Sequence, residues 1–284
     1  LVVSDGSTDD TARVVRSFGG AVTLIELPEG GKPLALNAGA ASASGEILVF
    51  ADARQRFSRN ALIHLVSNFA DPQVGGVTGE LVLDVEQVDD PADHASTVGD
   101  GVGLYWRYEK WLRYNESLVW STLGATGAIY ALRRELWAPL PPDTLLDDVL
   151  APMRVVLGGS RIVFEERARA YDQVAPDAAA ESRRKVRTLA GNYQILLHEP
   201  RLLLPIANPV WIQYLSHKVA RLVIPWALAG ALLSSAVLMF DGWFYGFAFG
   251  VQAVFYGLAA YGAWAEHRAR RTRDFAAAVT EGAR

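Results

Sequence analysis

The chain has no cysteine among its 284 residues. Disulfides, thiolate metal sites and thiol nucleophiles are therefore excluded. Histidine is sparse, with five residues scattered and none at a paired spacing, so a histidine metal centre is not expected. No excess of positive charge is present either. Lys and Arg number 27 against 31 Asp and Glu, and the net charge of −4 gives no reason to expect nucleic acid as a partner. An initiator Met and a signal-like start are also missing. Leu1 to Ser4 already reads as a strand, so the chain is expected to be a fragment lacking its N-terminal portion. Long apolar runs are absent until Leu222, after which the chain is almost continuously apolar. The mean hydropathy of +0.13 hides that contrast.

What is present begins with length, which suffices to bury a core and allows one or two domains. The first 165 residues or so alternate strand and helix patterns, which predicts an α/β fold with a mostly parallel sheet. Leu1–Ser4 is strand-like and ends at Asp5-Gly6. Ser7 is the expected N-cap of a helix turning Ala12, Val15 and Phe18 inward. Val22–Leu27 is the next strand, and Gly30–Ala43 reads as a glycine-rich entry followed by a helix. Ile47–Ala51 is a short apolar run rich in branched and aromatic residues, the pattern of a buried central strand, with Asp52, Arg54 and Gln55 just past its end. Ligands of open α/β sheets bind beyond the carboxyl ends of strands. A carboxylate at Asp52 could there hold a metal ion or a sugar hydroxyl, although starting a turn is the bland account.

Further on, Ser58–Phe69 is expected to be helical, Val74–Leu83 a strand, and the polar Asp84–Gly101 a loop. Tyr105, Tyr108 and Trp111 recur at helical spacing and read as a packed core face. Ala125–Leu132 returns to strand character, Leu145–Leu157 reads as a helix entered through Asp147 and Asp148, Arg161–Phe164 as a late strand, and Glu181–Leu197 as a basic amphipathic helix.

The C-terminal third carries a second signal. Leu222–Phe240 has no charge, and Trp243–Trp264 is interrupted only by Gln252. At ~1.5 Å per residue each span reaches roughly 28 to 33 Å, enough for a hydrocarbon core of ~30 Å. Asp241-Gly242 makes the turn of a transmembrane hairpin. His217, Lys218 and Arg221 precede it, and Arg268, Arg270, Arg271 and Arg273 follow it, which predicts cytoplasmic flanks. Pro209–Val219 mixes apolar and polar residues at helical spacing and reads as an interfacial helix.

DGSTDDT, GKPLALNAG, FADARQ, GATGAIYALRREL, LLDDV and RRKVRTLAGNYQ occur in this order at suitable separations. Together they resemble a membrane-bound family 2 inverting glycosyltransferase of GT-A fold, related to polysaccharide synthases, over roughly Leu1 to Leu197. The resemblance implies a GT-A domain over 1–200 with its first strand and helix missing, an interfacial segment over 201–221, two transmembrane helices over 222–265 and a basic cytoplasmic tail over 266–284. It also implies a multi-pass membrane protein with its catalytic domain on the cytoplasmic side. Its partners would be a nucleotide-sugar donor, a lipid-linked or glycan acceptor and the lipid bilayer, with no nucleic acid. The activity would be of hexosyltransferase type, in cell-envelope polysaccharide biosynthesis, although a truncated piece need not itself be active.

Residue by residue, the likeness implies that Asp5 hydrogen-bonds the nucleobase or ribose, and that Lys32 and Asn37 stand beside the donor pocket. Asp52 matches the first aspartate of D-x-D, which binds the donor diphosphate through a divalent cation (Mg2+ or Mn2+). Asp147 and Asp148 match the catalytic acidic pair, with Asp148 as general base, and Arg184 and Arg187 resemble the first and fourth places of Q-x-x-R-W. Two departures stand out. Arg54 replaces the second aspartate of D-x-D, leaving either Asp52 with phosphate oxygens and water to hold the cation or Arg54 itself to contact phosphate. Thr188 and Arg184 replace the Trp and the Gln of Q-x-x-R-W, which leaves processivity open. The chemistry suits these residue types. Glycosyl transfer builds negative charge on the departing diphosphate, which cations must meet, while a carboxylate accepts the proton of the incoming hydroxyl. An alternative is a non-catalytic membrane component that binds nucleotide sugar or glycan and regulates a partner synthase. Another is a phosphotransferase or phosphatase with Asp5 as nucleophile, which FADARQ and LLDDV fit less well.

Overall fold

The computed structural model describes residues 1–84, 97–173 and 178–281. It divides into two compact units, Leu1–Ala220 and Arg221–Arg284. The first unit opens with β1 (Val2–Asp5), α1 (Thr11–Ser17), β2 (Leu24–Leu27), α2 (Lys32–Ser42), β3 (Ile47–Ala51), β4 (Arg56–Phe57), α3 (Ala61–Ser67) and β5 (Val74–Asp84). It continues with α4 (Thr97–Val119), β6 (Ile129–Arg133), α5 (Asp147–Leu157), β7 (Arg161–Gln173), α6 (Ala178–His198), α7 (Trp211–Tyr214) and a π-helical turn, Leu215–Val219. Strands and helices alternate as the residue pattern predicts.

The sheet is mixed, not mostly parallel. β1 and β2 form a parallel pair, and the other five strands form a sheet in the order β3-β6-β5-β7-β4. Only β5–β7 is parallel there; β3–β6, β5–β6 and β4–β7 are antiparallel. Hydrophobic periodicity reports a strand's faces but not its direction, and β6 enters between β3 and β5 antiparallel to both. With neighbours on both edges and helices over both faces, its first four residues are all buried. Alternation of side chains then divides the core. Tyr130 and Leu132 face the cluster with Val149, Leu150 and Met153 of α5, whereas Ile129 and Ala131 join Ala61 and Leu65 of α3.

Four local expectations change. The first helix begins at Thr11, not after Ser7, with Asp9 Oδ1 accepting from the Thr11 amide at 3.0 Å, and none of its residues is buried; Phe18 is exposed. The polar stretch expected as a loop is helical from Thr97 onward, its positions 85–96 lying outside the described residues. In α4, Tyr108 and Trp111 stack on the solvent side with ring centroids 6.2 Å apart, while Glu109 and Glu116 are buried. Charge pairing decides that orientation: His217 Nδ1 lies 2.8 Å from Glu116 Oε1 and Nε2 lies 3.6 Å from Glu109 Oε2, and Lys110 pairs with Glu80 of β5. Finally, β7 runs to Gln173 because Ala168 and Ala170 point into the core while Arg167 and Arg169 alternate outward.

The second unit contains the rest of α8 (Ala220–Leu238) and α9 (Trp243–Glu281). The helical run Trp211–Leu238 and the stretch Trp243–Ala265 are long and apolar enough to cross a membrane, and no residue of the second apolar window is buried. Apolar surface on this scale is unfavourable in water and suggests membrane association. Gln252 of α9 donates to Ser235 Oγ of α8 at 3.3 Å, the kind of polar link that joins helices in an apolar medium.

Candidate active site

Three sequence-distant stretches meet at one ammonium group. Lys32, the first residue of α2, lies with Nζ 3.0 Å from Asp52 Oδ1 past the end of β3 and 3.3 Å from Asp147 Oδ2 at the start of α5. Burial works against the Lys32 charge, but Asp147 and Asp52 outweigh it and raise its pKa above the ordinary lysine range. Asp5 joins through the loop before Lys32. Its two carboxylate oxygens accept from the Gly30 and Gly31 amides, each at 2.8 Å. Gly31 has φ +93°, a conformation few side chains tolerate, and this turn aims both amides at one carboxylate. Asp5 thus shapes the entry of α2 with both of its oxygens.

Asp148 stands next in α5. It is half-buried, and burial is the largest influence on its carboxyl. Burial first and the neighbouring Asp147 second raise its pKa above the usual aspartate range, while Lys32, Lys218 and Arg113 pull the other way. Its backbone is fixed by a proline. Pro152, four residues on, has no N–H for the Asp148 carbonyl, and that carbonyl accepts instead from the Ala125 amide at 2.7 Å. The same loop brings Gly127 close: a Cβ there would lie 3.3 Å from Asp148 Oδ2 and 3.6 Å from Lys32 Nζ.

The remaining expected site residues are less direct. Asn37 gives its whole amide to Leu140, donating to the carbonyl at 2.9 Å and accepting from the N–H at 2.8 Å. Arg54 turns to Asp172 of β7 at 2.8 Å, and Gln55 donates to the same carboxylate at 3.0 Å. Arg187 of α6 donates to the Leu145 carbonyl at 3.2 Å, which braces the segment leading into Asp147. Arg184 lies on the exposed side of α6, its carbonyl accepting from Thr188 Oγ1. Residue pattern missed Asp172, Gln194, Pro152 and Tyr130. Gln194 accepts from the Leu145 amide at 2.9 Å. Only Pro152 left a readable sign, since a proline in the second turn of a helix must free a carbonyl four residues earlier.

Among the described residues no group of three His, Asp or Glu side chains is placed to hold a metal ion. Asp52 offers one carboxylate, already paired with Lys32. The arrangement can therefore bind a polyanion through Lys32 and accept a proton at a carboxylate whose pKa is raised.

Comparison with known proteins bears on the family and the fold. Poly-beta-1,6-N-acetyl-D-glucosamine synthase of Staphylococcus aureus (strain COL) is 22% identical over 214 residues, 70% of this chain and 48% of the relative. The chain thus spans about half the length of the curated relatives it matches. Among solved structures, a mannosyltransferase, PcManGT from Pyrobaculum calidifontis in complex with GDP-Man and Mn2+, is similar with a TM-score of 0.53 and 25% identity, over 93% of this chain and 77% of that one. The fold is that of the GT-A glycosyltransferases. Residues 1–137 match the family model described as Glycosyl transferase family 2, so the chain carries a glycosyl transferase family 2 domain.

Proposed function

We propose that the protein is a membrane-bound inverting glycosyltransferase that moves a sugar from a nucleoside-diphosphate donor to a lipid-linked or polysaccharide acceptor. The observation that carries this reading is the Lys32 ammonium held between Asp52 and Asp147, with Asp148 adjacent. Lys32 meets the donor diphosphate, whose negative charge grows as the sugar leaves. Asp148 takes the proton of the acceptor hydroxyl, and its raised pKa makes it a better base than an exposed aspartate would be. A single displacement from the face opposite the diphosphate inverts the anomeric carbon. Asp5, through Gly30 and Gly31, holds the donor-side loop in shape.

A divalent cation is a donor-borne component in this reading. Asp52 alone is a poor resident site, but Mg2+ or Mn2+ accepts one or two carboxylates when phosphate oxygens and water complete its shell. Bound there, the cation would neutralise the leaving diphosphate. Arg54, tied to Asp172, braces the loop that presents Asp52. The two apolar helices support a multi-pass anchor with the domain on the cytoplasmic side, the side where nucleotide sugars are found, and arginines 268, 270, 271 and 273 after the second span support that orientation. Exposed Ile206 and Ile212, on the segment leading to those helices, support contact with the leaflet surface.

The test is diphosphate release from a panel of nucleotide sugars by membranes carrying the natural protein, with and without Mg2+ or Mn2+. Asp148→Asn and Asp52→Ala are the controls, and full activity in both ends the site assignment. Nucleoside-diphosphate binding by the wild type without turnover favours a regulatory binding component instead.

A further inference from the structure

Tyr130 is the anomaly of the site. Its side chain is 1% exposed and its ring stacks on Phe50 at 4.6 Å, yet its hydroxyl has no hydrogen-bond partner. Asp147 Oδ2 is also buried without a hydrogen-bond donor, with the Lys32 ammonium 3.3 Å away as its counter-ion. Buried polar groups are nearly always satisfied, because leaving one unpaired forfeits its interaction with water. Phenylalanine would fill the same space without that cost. The two orphans are complementary, one a donor and the other an acceptor. Register pairs Tyr130 with Phe50, two residues before Asp52, and Tyr130 packs in the same core cluster as Val149 and Leu150 of α5, the helix that Asp147 opens. Burial chiefly, and then the charges of Asp147, Asp148 and Asp52, push its phenol well above the ordinary range, with Asp147 the strongest of the three.

Lys32 is the piece that can leave. It carries its charge on a flexible four-carbon stem, and its side chain is 38% exposed. A diphosphate presents more negative charge than Asp147 does and draws the ammonium outward. Asp147, whose side chain is 6% exposed, is then stranded without a counter-ion unless another donor replaces it.

We propose that Tyr130 is a positioning residue: its hydroxyl takes the place of Lys32 as donor to Asp147 when Lys32 turns to an anionic diphosphate. Asp147 thereby keeps a hydrogen-bond donor and stays fixed beside Asp148 throughout donor binding. The proposal rests on the glycosyl-transfer reading for the identity of the anion.

A double-mutant cycle on thermal unfolding of the full chain in detergent micelles tests it without any ligand. Tyr130→Phe alone leaves the unfolding temperature unchanged or raises it, since the hydroxyl has no bond to lose. With Lys32→Met, the hydroxyl is already engaged with Asp147, and adding Tyr130→Phe lowers the unfolding temperature by several degrees. Additive effects overturn the proposal. A second measurement covers the case in which Lys32→Met does not fold: titration with UDP and GDP, in which Tyr130→Phe weakens binding about tenfold with no loss of thermal stability. Equal affinity in wild type and Tyr130→Phe also overturns it. Binding by the wild type with an additive cycle leaves glycosyl transfer standing and removes only the role of Tyr130. Coupling in the cycle without any nucleoside-diphosphate binding overturns both the exchange and the glycosyl-transfer reading.

Discussion

Two sets of carboxylates in this domain are built on opposite terms. Asp5 and Glu165 are fully occupied. The first accepts from two backbone amides, and the second accepts from Arg167 at 2.7 Å and 2.9 Å and from Asn68 at 3.1 Å. At the start of α5 the terms reverse. Asp147 is buried with an unsatisfied oxygen, and Asp148 is half-buried beside a like charge. Occupied carboxylates hold strands and loops in place; Asp147 keeps an oxygen open to a donor, and Asp148 keeps the capacity to take a proton. A perturbed carboxyl such as that of Asp148 is the kind found at functional sites, and here it stands beside the one lysine that links three parts of the chain.

The sharpest way to break this contrast is Asp148→Asn. Removing a general base lowers turnover by about 10²- to 10⁴-fold, read as initial rates of diphosphate release. The same change should raise the unfolding temperature at neutral pH by a few degrees on the order expected for a domain of this size, because a poorly solvated charge beside Asp147 disappears. The sign follows from linkage. The folded pKa of Asp148 lies above its unfolded value of 3.8, so its stabilising contribution is complete below pH 3.8 and is lost as pH rises through the folded pKa. The gain from asparagine should therefore vanish in acid. A gain that persists at pH 3 would show that desolvation of the charge is not its source.

Asp5→Ala comes next. It strips two charge-assisted hydrogen bonds, each worth about 1.5–3 kcal/mol, and frees the Gly30-Gly31 turn. Denaturant unfolding should show a loss of up to about 6 kcal/mol for the two together, and nucleotide affinity should fall because Lys32 loses its fixed origin. Unchanged affinity would detach Asp5 from the donor pocket.

Glu165 gives the opposite pH slope. Hydrogen bonding by Arg167 foremost, helped by Asn68, holds its carboxyl at about 2, below the 4.5 of a free glutamate. Its contribution is complete above pH 4.5 and is lost as pH falls toward about 2, so the difference in unfolding temperature between wild type and Glu165→Gln should shrink across that window. Solvent screening keeps the effect small. Pro152→Ala should be smaller still in stability. The restored N–H competes with Ala125 for the Asp148 carbonyl, so turnover should fall several-fold with little change in unfolding temperature, and unchanged turnover would show that the proline does not position the base.

How much was readable in advance depends on which forces each feature obeys. The β3 strand came out at Ile47–Ala51 as its residues predict, since a short apolar run bounded by polar residues has few other outcomes. The aromatic stripe of α4 misled, because Tyr108 and Trp111 obey hydrophobic periodicity only when nothing stronger acts on the opposite face. There the buried Glu109 and Glu116 pair with His217, about a hundred positions away, and periodicity carries no information about such a partner. The partner of Arg54 was equally unreadable: Asp172 lies on a strand more than a hundred positions away.

Composition and order alone determined the α/β class, the absence of thiol chemistry, the two apolar helices and the acidic positions 5, 52 and 147–148, because each follows from local residue type and spacing. Only the tertiary structure decided that the sheet is mixed, that Lys32 stands between Asp52 and Asp147, that Pro152 releases the Asp148 carbonyl to Ala125, and that Tyr130 keeps a buried, unpartnered hydroxyl. Those features depend on contacts between residues far apart along the chain. Their energies come from desolvation and charge pairing in a shared interior, which do not exist until the strands have assembled.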